Sequence, residues 1–406
     1  MKKLLSLVLA LIILMVSASV CFAEVKADVK STSASETDYS FYLEKHNKLE
    51  TNVDTVFADL ETVIAKGGAN VKQVSKFEGK DSVLKWNNAE GKVTFSFKVP
   101  KTGLYNVAIE YFPLDTDTEA IDLSLLVDGK EVFKGLNNIS LPRLYMDDGD
   151  IRADGIGNQF APEQKEYFAW QEKRLCDAEG LNAKPYLLAL TKGEHTVTIY
   201  DTSAPFAIAS IKLCAEEKVP TYAEVLKEYE AKGYKKYEGN QITIQGEDAY
   251  LKSAFNLISQ SDATSANVYP YNAEVAKVNY IGGNNWSGAG DTISWKLDVP
   301  EDGLYAINFA FQQSYIINGS AYRILRVDGE IPFAEAAEID FKYCNAWKIK
   351  EFGEKEGEPY LIYLKKGERT LSLEVNLCCL SNFAVTLKNQ IYDLGAIYRE
   401  IVMITG

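Results

Sequence analysis

The chain repeats itself, and this constrains its fold more than any other feature. The stretch VTFSFKVPKTGLYNVAIEYF from Val93 aligns without gaps with ISWKLDVPEDGLYAINFAFQ from Ile293. LVDGKEVF from Leu126 matches RVDGEIPF from Arg326 in the same register. KPYLLALTKGEHTVTI from Lys184 matches EPYLIYLKKGERTLSL from Glu358. The offset between the copies falls from 200 in the first two blocks to 174 in the last. The first copy therefore holds an insertion of about 26 residues, around 147–180. Three matched blocks in one order point to two diverged copies of one module.

Inside each block the apolar residues alternate, which is the period of a strand. Val93, Phe95, Phe97 and Val99 face one way, and Ile293, Trp295, Leu297 and Val299 repeat the pattern. After the turn, Tyr105, Val107, Ile109 and Tyr111 form a second apolar face, matched by Tyr305, Ile307, Phe309 and Phe311. In VPKTGLY and VPEDGLY, Pro100 and Pro300 fix φ, while Gly103 and Gly303 supply the positive φ expected of a reversing turn. VDG, TKGE and KKGE are further turn signals. Short alternating strands joined by such turns predict a mainly β chain of two tandem jelly-roll β-sandwiches. Each is preceded by a short helical segment sharing Tyr39/Tyr222 and Leu43/Leu226, with Thr221 as N-cap and Gly233 as stop. Near the C-terminus, Leu387, Ile391, Leu394, Ile397 and Ile401 recur at three- and four-residue steps, predicting a long amphipathic helix. The expected order is a signal peptide (1–23), a linker (24–37), a helix (38–51), sandwich 1 (52–216, with the insertion 147–180), a helical linker (217–239), sandwich 2 (240–380) and the C-terminal helix (381–406).

Lys2 and Lys3, the apolar run 4–16 and the small-x-small site Cys21-Phe22-Ala23 read as an export signal. Secretion is the expectation. A lipoprotein anchored at Cys21 is the lesser reading, because Val20 suits a lipobox poorly. A formal charge of −14 argues against a nucleic-acid partner and leaves uncharged sugars open. After cleavage, Cys176, Cys214, Cys344, Cys378 and Cys379 remain, with no metal-knuckle spacing. They are either buried free thiols or include a disulfide such as Cys176 with Cys214. The only histidines, His46 and His195, are far apart, which disfavours Ser-His-Asp and zinc-hydrolase centres.

GLYNVAIEY, DGIGNQFAPEQ, PYLLALTKGEHTVTI, RILRVDGEIPF, PYLIYLKKGERTLSL and the terminal YREIVMITG resemble, in that order, the N-terminal region of large solute-binding proteins of Gram-positive ABC sugar importers. The resemblance covers most of the mature chain. It implies galactose-binding-like sandwiches similar to carbohydrate-binding modules of families 6 and 35, with ITIQGEDA at Ile242 as an opening strand. In the resembling proteins the chain continues past MITG into a two-lobed solute-binding domain, whereas this sequence stops at Gly406.

A sugar site on such a sandwich needs a flat aromatic and nearby hydrogen-bonding groups. Trp286 in GGNNWSGAGD is the first candidate, with Asn284, Asn285 and Asp291; its other reading is a plug at one end of the sandwich. Tyr269 and Tyr271, around Pro270, and Trp347 are further candidates. The insertion adds Tyr167 and Trp170, and its acids Asp148, Asp150 and Asp154 suit calcium, though Ala161 breaks an EF-hand spacing led by Asp150. The other reading is a solvated acidic loop. Glu247 in QGEDA is a separate calcium candidate, since in the resembling modules an acid at that strand supports a structural ion; otherwise it is an edge carboxylate. Nothing fixes a pair of catalytic carboxylates. The expectation is a non-catalytic protein that binds an oligo- or polysaccharide. The rivals are a module that only presents its C-terminal helix, through self-association or to a partner protein, and a glycan-processing enzyme.

Overall fold

The computed structural model describes residues 38–117 and 119–405, which belong to one compact unit. The export signal 1–23, with Cys21, and the linker 24–37 lie outside the described residues. The fold is mainly β, with antiparallel sheets and a long C-terminal helix.

Helix α1 (Tyr39–His46) leads into the first half. Its strands are β1 (Ile64–Lys66), β2 (Val71–Phe77), β3 (Lys80–Trp86), β4 (Lys92–Val99), β5 (Gly103–Pro113), β6 (Ile121–Val127), β7 (Ile139–Leu141), β8 (Tyr145–Asp148), β9 (Glu163–Glu166), β10 (Gln171–Arg174), β11 (Leu188–Leu190), β12 (Gly193–Tyr200) and β13 (Phe206–Cys214). One sheet runs β1-β4-β12-β6-β7; the other runs β10-β5-β13-β3-β2, with β11 also on β5. The alternating residues expected to be internal fill one core between the two sheets: Phe95 and Phe97 from β4, Tyr105 and Ile109 from β5, Ile208 and Ile211 from β13.

Helix α2 (Tyr222–Lys232) starts at Thr221 in a capping box with Glu224 and stops at Gly233 with φ 67°. It opens the second half: β14 (Leu251–Lys252), β15 (Thr292–Val299), β16 (Gly303–Ala306), β17 (Asn308–Gln313), β18 (Ser320–Val327), β19 (Ile339–Lys342), β20 (Cys344–Glu351), β21 (Leu361–Leu364) and β22 (Gly367–Val375). Helix α3 (Ser381–Thr405) ends the chain.

The repeat extends to the pairing register. Val99 lies opposite Gly193, and Val299 opposite Gly367. Gly103 pairs with Leu190 and Gly303 with Leu364. Val127 pairs with Val197 and Val327 with Leu371. The tyrosines shared by the leading helices have a defined task. Tyr39 and Tyr42 hydroxyls accept the N–H groups of Leu187 and Ala189; Tyr222 and Tyr229 accept those of Leu361 and Tyr363. Each helix thus satisfies donors at the outer edge of a short strand, an edge on which no other strand pairs among the described residues.

One expectation changes. Gly103 and Gly303 are not in the positive-φ region. A Cβ on Gly103 would lie 2.5 Å from Val53 Cγ1 and 2.9 Å from Glu50 O, and the incoming chain bonds Leu104 N–H to Glu50 O just as Leu304 N–H meets Lys235 O. At Gly103 close approach of the neighbouring chain, not turn conformation, demands glycine, whereas a Cβ on Gly303 would make only ordinary contacts, the nearest Lys235 O at 3.4 Å. The insertion packs on the second half. Strand β8 pairs with β14, and β9 with β8, so the first half extends the second half's sheet β9-β8-β14-β15-β22-β18-β19. The fully buried Lys252 ammonium meets Asp147 and, at 3.1 Å, Gln164 Oε1. Gln159 N–H donates to Ala276 O at 2.9 Å, and Asn158 Oδ1 accepts Ala276 N–H at 2.9 Å. Of the two readings of the cysteines the disulfide between Cys176 and Cys214 is not formed; every cysteine among the described residues is a free thiol.

Candidate functional site

Trp286 has a counterpart that the matched blocks did not include. Carrying the ungapped alignment upstream from Val93 and Ile293 places Trp86 against Trp286. Trp86 is wholly buried, donates its indole N–H to Glu90 O at 3.0 Å and stands 5.8 Å from the Phe206 ring. Trp286 makes the same kind of bond, to Asp291 O at 3.1 Å, and packs against both the main core of the second half and the small cluster around Leu257. The Arg323 guanidinium lies 4.2 Å over its ring and donates to Trp286 O at 3.0 Å. The indole N–H and one ring face are therefore taken by the protein itself. Around it, Asn285 donates to Asn256 O at 3.3 Å, Asn284 is exposed, and Asp291 accepts Gly288 N–H at 2.9 Å. Burial pushes the Asp291 carboxyl up to about 6, against the pull of that N–H and of Arg323.

A second tryptophan pair emerges only from the strand register. Tyr111 lies opposite Gln171 and Phe311 opposite Lys348, so Trp170 and Trp347, each one residue earlier, are equivalent. In the first half the place is filled: Trp170 packs on Phe77 and Phe112 and donates to Glu78 O at 2.9 Å. In the second half Trp347 lies on β20 on the same side as the exposed Ile349, while the Phe309 and Phe311 of the paired β17 turn to the core. Its indole N–H donates to Asp262 Oδ2 at 2.7 Å, and Tyr280 meets it at 5.9 Å with the rings at 65°. The Tyr280 hydroxyl donates to Gln260 Oε1 at 2.9 Å. Asn279 Nδ2 reaches both Asp262 O and Pro270 O at 2.9 Å, which fixes the loop of Tyr269 and Tyr271 to the same place. Tyr269 is 73% exposed and Tyr271 40%. Burial raises the Asp262 carboxyl, but bonds from Thr264 and Trp347 outweigh it and hold the group below the usual range. The result is a patch in which the exposed Tyr269 and Tyr271 adjoin the half-buried Trp347, Tyr280 and Asp262.

The insertion's candidates go elsewhere. Tyr167 packs on Tyr250 of the second half at 6.2 Å. Asp148 pairs with Lys165 at 2.8 Å, and Asp154 accepts Ile156 and Asn158 N–H within its own loop. Asp150 lines a shallow pocket of about 290 Å³ together with Arg152 and Glu163. Among the described residues no three His, Cys, Asp or Glu side chains gather to hold a metal.

Glu247 is only 6% exposed, and its Oε2 has no hydrogen-bond partner. Leu251 pairs with Ser294 as Ile64 pairs with Thr94, and four residues before each stand Glu247 and Leu60. A side chain that is apolar in one copy is a carboxyl in the other. Burial pushes this carboxyl up to about 7. Among the described residues no three His, Cys, Asp or Glu side chains gather around Glu247, and we expect a proton to answer the orphaned oxygen. The folded state then holds that proton more tightly than the unfolded chain, so stability falls as pH rises from about 4.5 to 7 and stays lower above that range. Glu247→Gln should abolish this loss and raise stability at pH 8 by up to about 3 kcal/mol. Denaturation midpoints of both proteins at pH 5 and 8 measure it; equal pH slopes, or a midpoint that calcium moves, would contradict it.

A cleft of about 550 Å³ in the second half is lined by Tyr322, Glu335, Glu338, Asp340, Lys350 and Tyr360, among others. Its acids hold structural contacts: Glu335 accepts Tyr222 N–H at 2.8 Å, and Asp340 pairs with Lys350 at 2.9 Å.

No protein-family model matches the chain, and no curated protein matches it. Parts of it are similar to solved structures. One is the GH26-CBM35 β-(1,4)-mannanase of Podospora anserina, at 14% identity and TM-score 0.25 over 44% of this chain and 35% of the mannanase. Another is a family 35 carbohydrate-binding module from Clostridium thermocellum, at 13% and 0.23 over 40% of this chain and 98% of the module. A third is a cycloisomaltooligosaccharide glucanotransferase from Paenibacillus sp., at 12% and 0.24 over 80% and 46%. The chain thus spans about a third of the length of the mannanase. At identities this low, no ligand or activity passes from them to this protein.

Proposed function

We propose that this is an exported, non-catalytic carbohydrate-binding protein. Its two halves are jelly-roll, galactose-binding-like sandwiches, of the kind that precedes the solute-binding domain in ABC sugar importers. The sugar site is the Trp347 patch. What carries the reading is that Trp347 is anchored by its N–H to a charged Asp262 and lies beside Tyr280 and the exposed Tyr269 loop, on the face of β20 turned away from the core. Aromatic surface for the apolar side of a pyranose then adjoins a carboxylate that can accept its hydroxyls. The acidic chain favours an uncharged glycan. A glycan array on the protein supplies the ligand; Trp347→Ala should then weaken it about 30-fold or more, the cost of truncating an aromatic hot spot, with the far-UV spectrum unchanged. An array with no positives, or unchanged affinity of the variant, removes the reading.

One observation favours a second reading, an interaction module. Helix α3 is tied to the body near its start, where Ser381 bonds Leu181 O and Ala183 N–H and Lys388 meets Glu179. Further along, Ile391, Leu394, Ile397 and Tyr398 are all more than half exposed. On this reading that face associates with a second copy or a partner protein.

A further inference from the structure

Among the described residues the second half lacks a strand that the first half has. In the first half β13 pairs along β5, with Ile208 opposite Tyr111, Ile211 opposite Ile109 and Leu213 opposite Val107. Phe206, Ile208, Ile211 and Leu213 are all wholly buried there. The corresponding residues of the second half are Phe311, Phe309 and Ile307. The strand of the two phenylalanines, β17, which starts just after Ile307, pairs with β20 on one edge, and among the described residues no strand pairs with the other. After β22, where the first half continues into β13, the second half makes a 3-10 turn (Cys378–Leu380) and enters α3. The neighbour of β13 on its far side is also changed. Where β3 runs to Trp86, the second half has the 3-10 turn Gly283–Asn285 leading into Trp286.

The consequence is visible in burial. Every residue of β5 but one is buried, whereas in β17 only Gln313 is, and Phe309, Phe311 and Ile307 are left half-covered. An open edge with unpaired backbone groups above a half-covered apolar surface is the arrangement that accepts an added strand.

We propose that the free edge of β17 takes a β-strand from a partner polypeptide. The first half displays the occupant's chemistry. It is an extended segment of about the length of β13, antiparallel to β17, with large apolar side chains on its core-facing positions, as at Phe206, Ile208, Ile211 and Leu213, and no proline within it. Main-chain bonds along β17 hold it, and its apolar side chains cover Phe309, Phe311 and Trp286. The proposal does not depend on sugar binding.

The probe is a synthetic peptide of Phe206–Cys214 carrying Cys214→Ser, added to the intact protein and followed by segment-resolved hydrogen exchange. In the free protein residues 307–313 should exchange far faster than 107–113. Peptide at about 100 times its dissociation constant should slow 307–313 about 100-fold and leave 107–113 unchanged. The same peptide with Ile208→Asp and Ile211→Asp should do neither. Protection of 307–313 equal to that of 107–113 without any peptide overturns the proposal, as does a peptide that leaves exchange unaltered. Protection that grows with protein concentration alone assigns the strand to a second copy and overturns the separate partner.

Discussion

Replacing Arg143 with alanine is expected to cost about 3–5 kcal/mol, the penalty of stranding a buried charge. Arg143 is 1% exposed, yet each of its nitrogens is used. Nε donates to Glu119 O at 2.8 Å, Nη1 to Asp115 O at 2.6 Å and Glu166 Oε1 at 2.8 Å, and Nη2 to Asp115 Oδ1 at 2.9 Å. Burial alone would lower the guanidinium's pKa; Glu166 and Asp115 hold it above the usual value. The Glu166 side chain is 2% exposed, so losing the arginine leaves a buried carboxylate with only the Asp117 N–H, 3.2 Å from its Oε2, and no counter-charge. Lysine cannot restore the planar fork and should rescue little. Arg143→Met with Glu166→Leu removes both charges and should recover most of the loss, because replacing a buried pair by apolar groups is often neutral. Denaturation midpoints of the two single variants and the double variant decide this. Additive losses would show that the two residues act separately. Because Glu166 sits on β9, and β9 and β8 extend the second half's sheet, the single variant should also speed exchange at 145–148 and 163–166.

How much of this was legible follows from the range of each interaction. Alternation of apolar residues is written within a few neighbouring positions, so the strands around Phe95, Tyr105, Trp295 and Tyr305 could be read directly. The ungapped repeat then carried the pairing of one copy to the other. Contacts that belong to one copy alone had no such guide. Asp147 reads as one acid in an acidic loop, and only the fold brings it to Lys252, 105 positions away. Trp347 meets Asp262 across 85 positions, and neither Asp262 nor Tyr280 carries a local mark. The glycine of VPKTGLY was recognisable as necessary, but its reason, the passing backbone at Glu50, was not. The equivalence of Trp86 with Trp286 was within reach, since the gapless alignment needed only to be carried seven residues upstream of Val93. That step would have set a buried tryptophan beside the loop candidate.

The same pair gives the second large effect. Trp86→Ala should cost about 3–5 kcal/mol, the usual range for a large aromatic removed from a closed core, since Trp86 is wholly buried and Phe206 of β13 packs on it. Trp286→Ala should cost clearly less. Among the described residues no strand carries a phenylalanine onto Trp286, which is only partly buried and is covered on one face by the Arg323 guanidinium. The difference between the two costs reads the missing strand as an energy. Glycan affinity should survive Trp286→Ala, because the indole is spent on Asp291 and the core, whereas Trp347→Ala removes it. Denaturant unfolding of the two alanine variants measures the comparison. Equal losses would mean that the second core is as closed as the first, and that β17 has no room for another strand. If the losses differ, adding the Phe206–Cys214 peptide should raise the cost at position 286 towards that at 86 and leave the latter unchanged, because only the second core gains a covering strand.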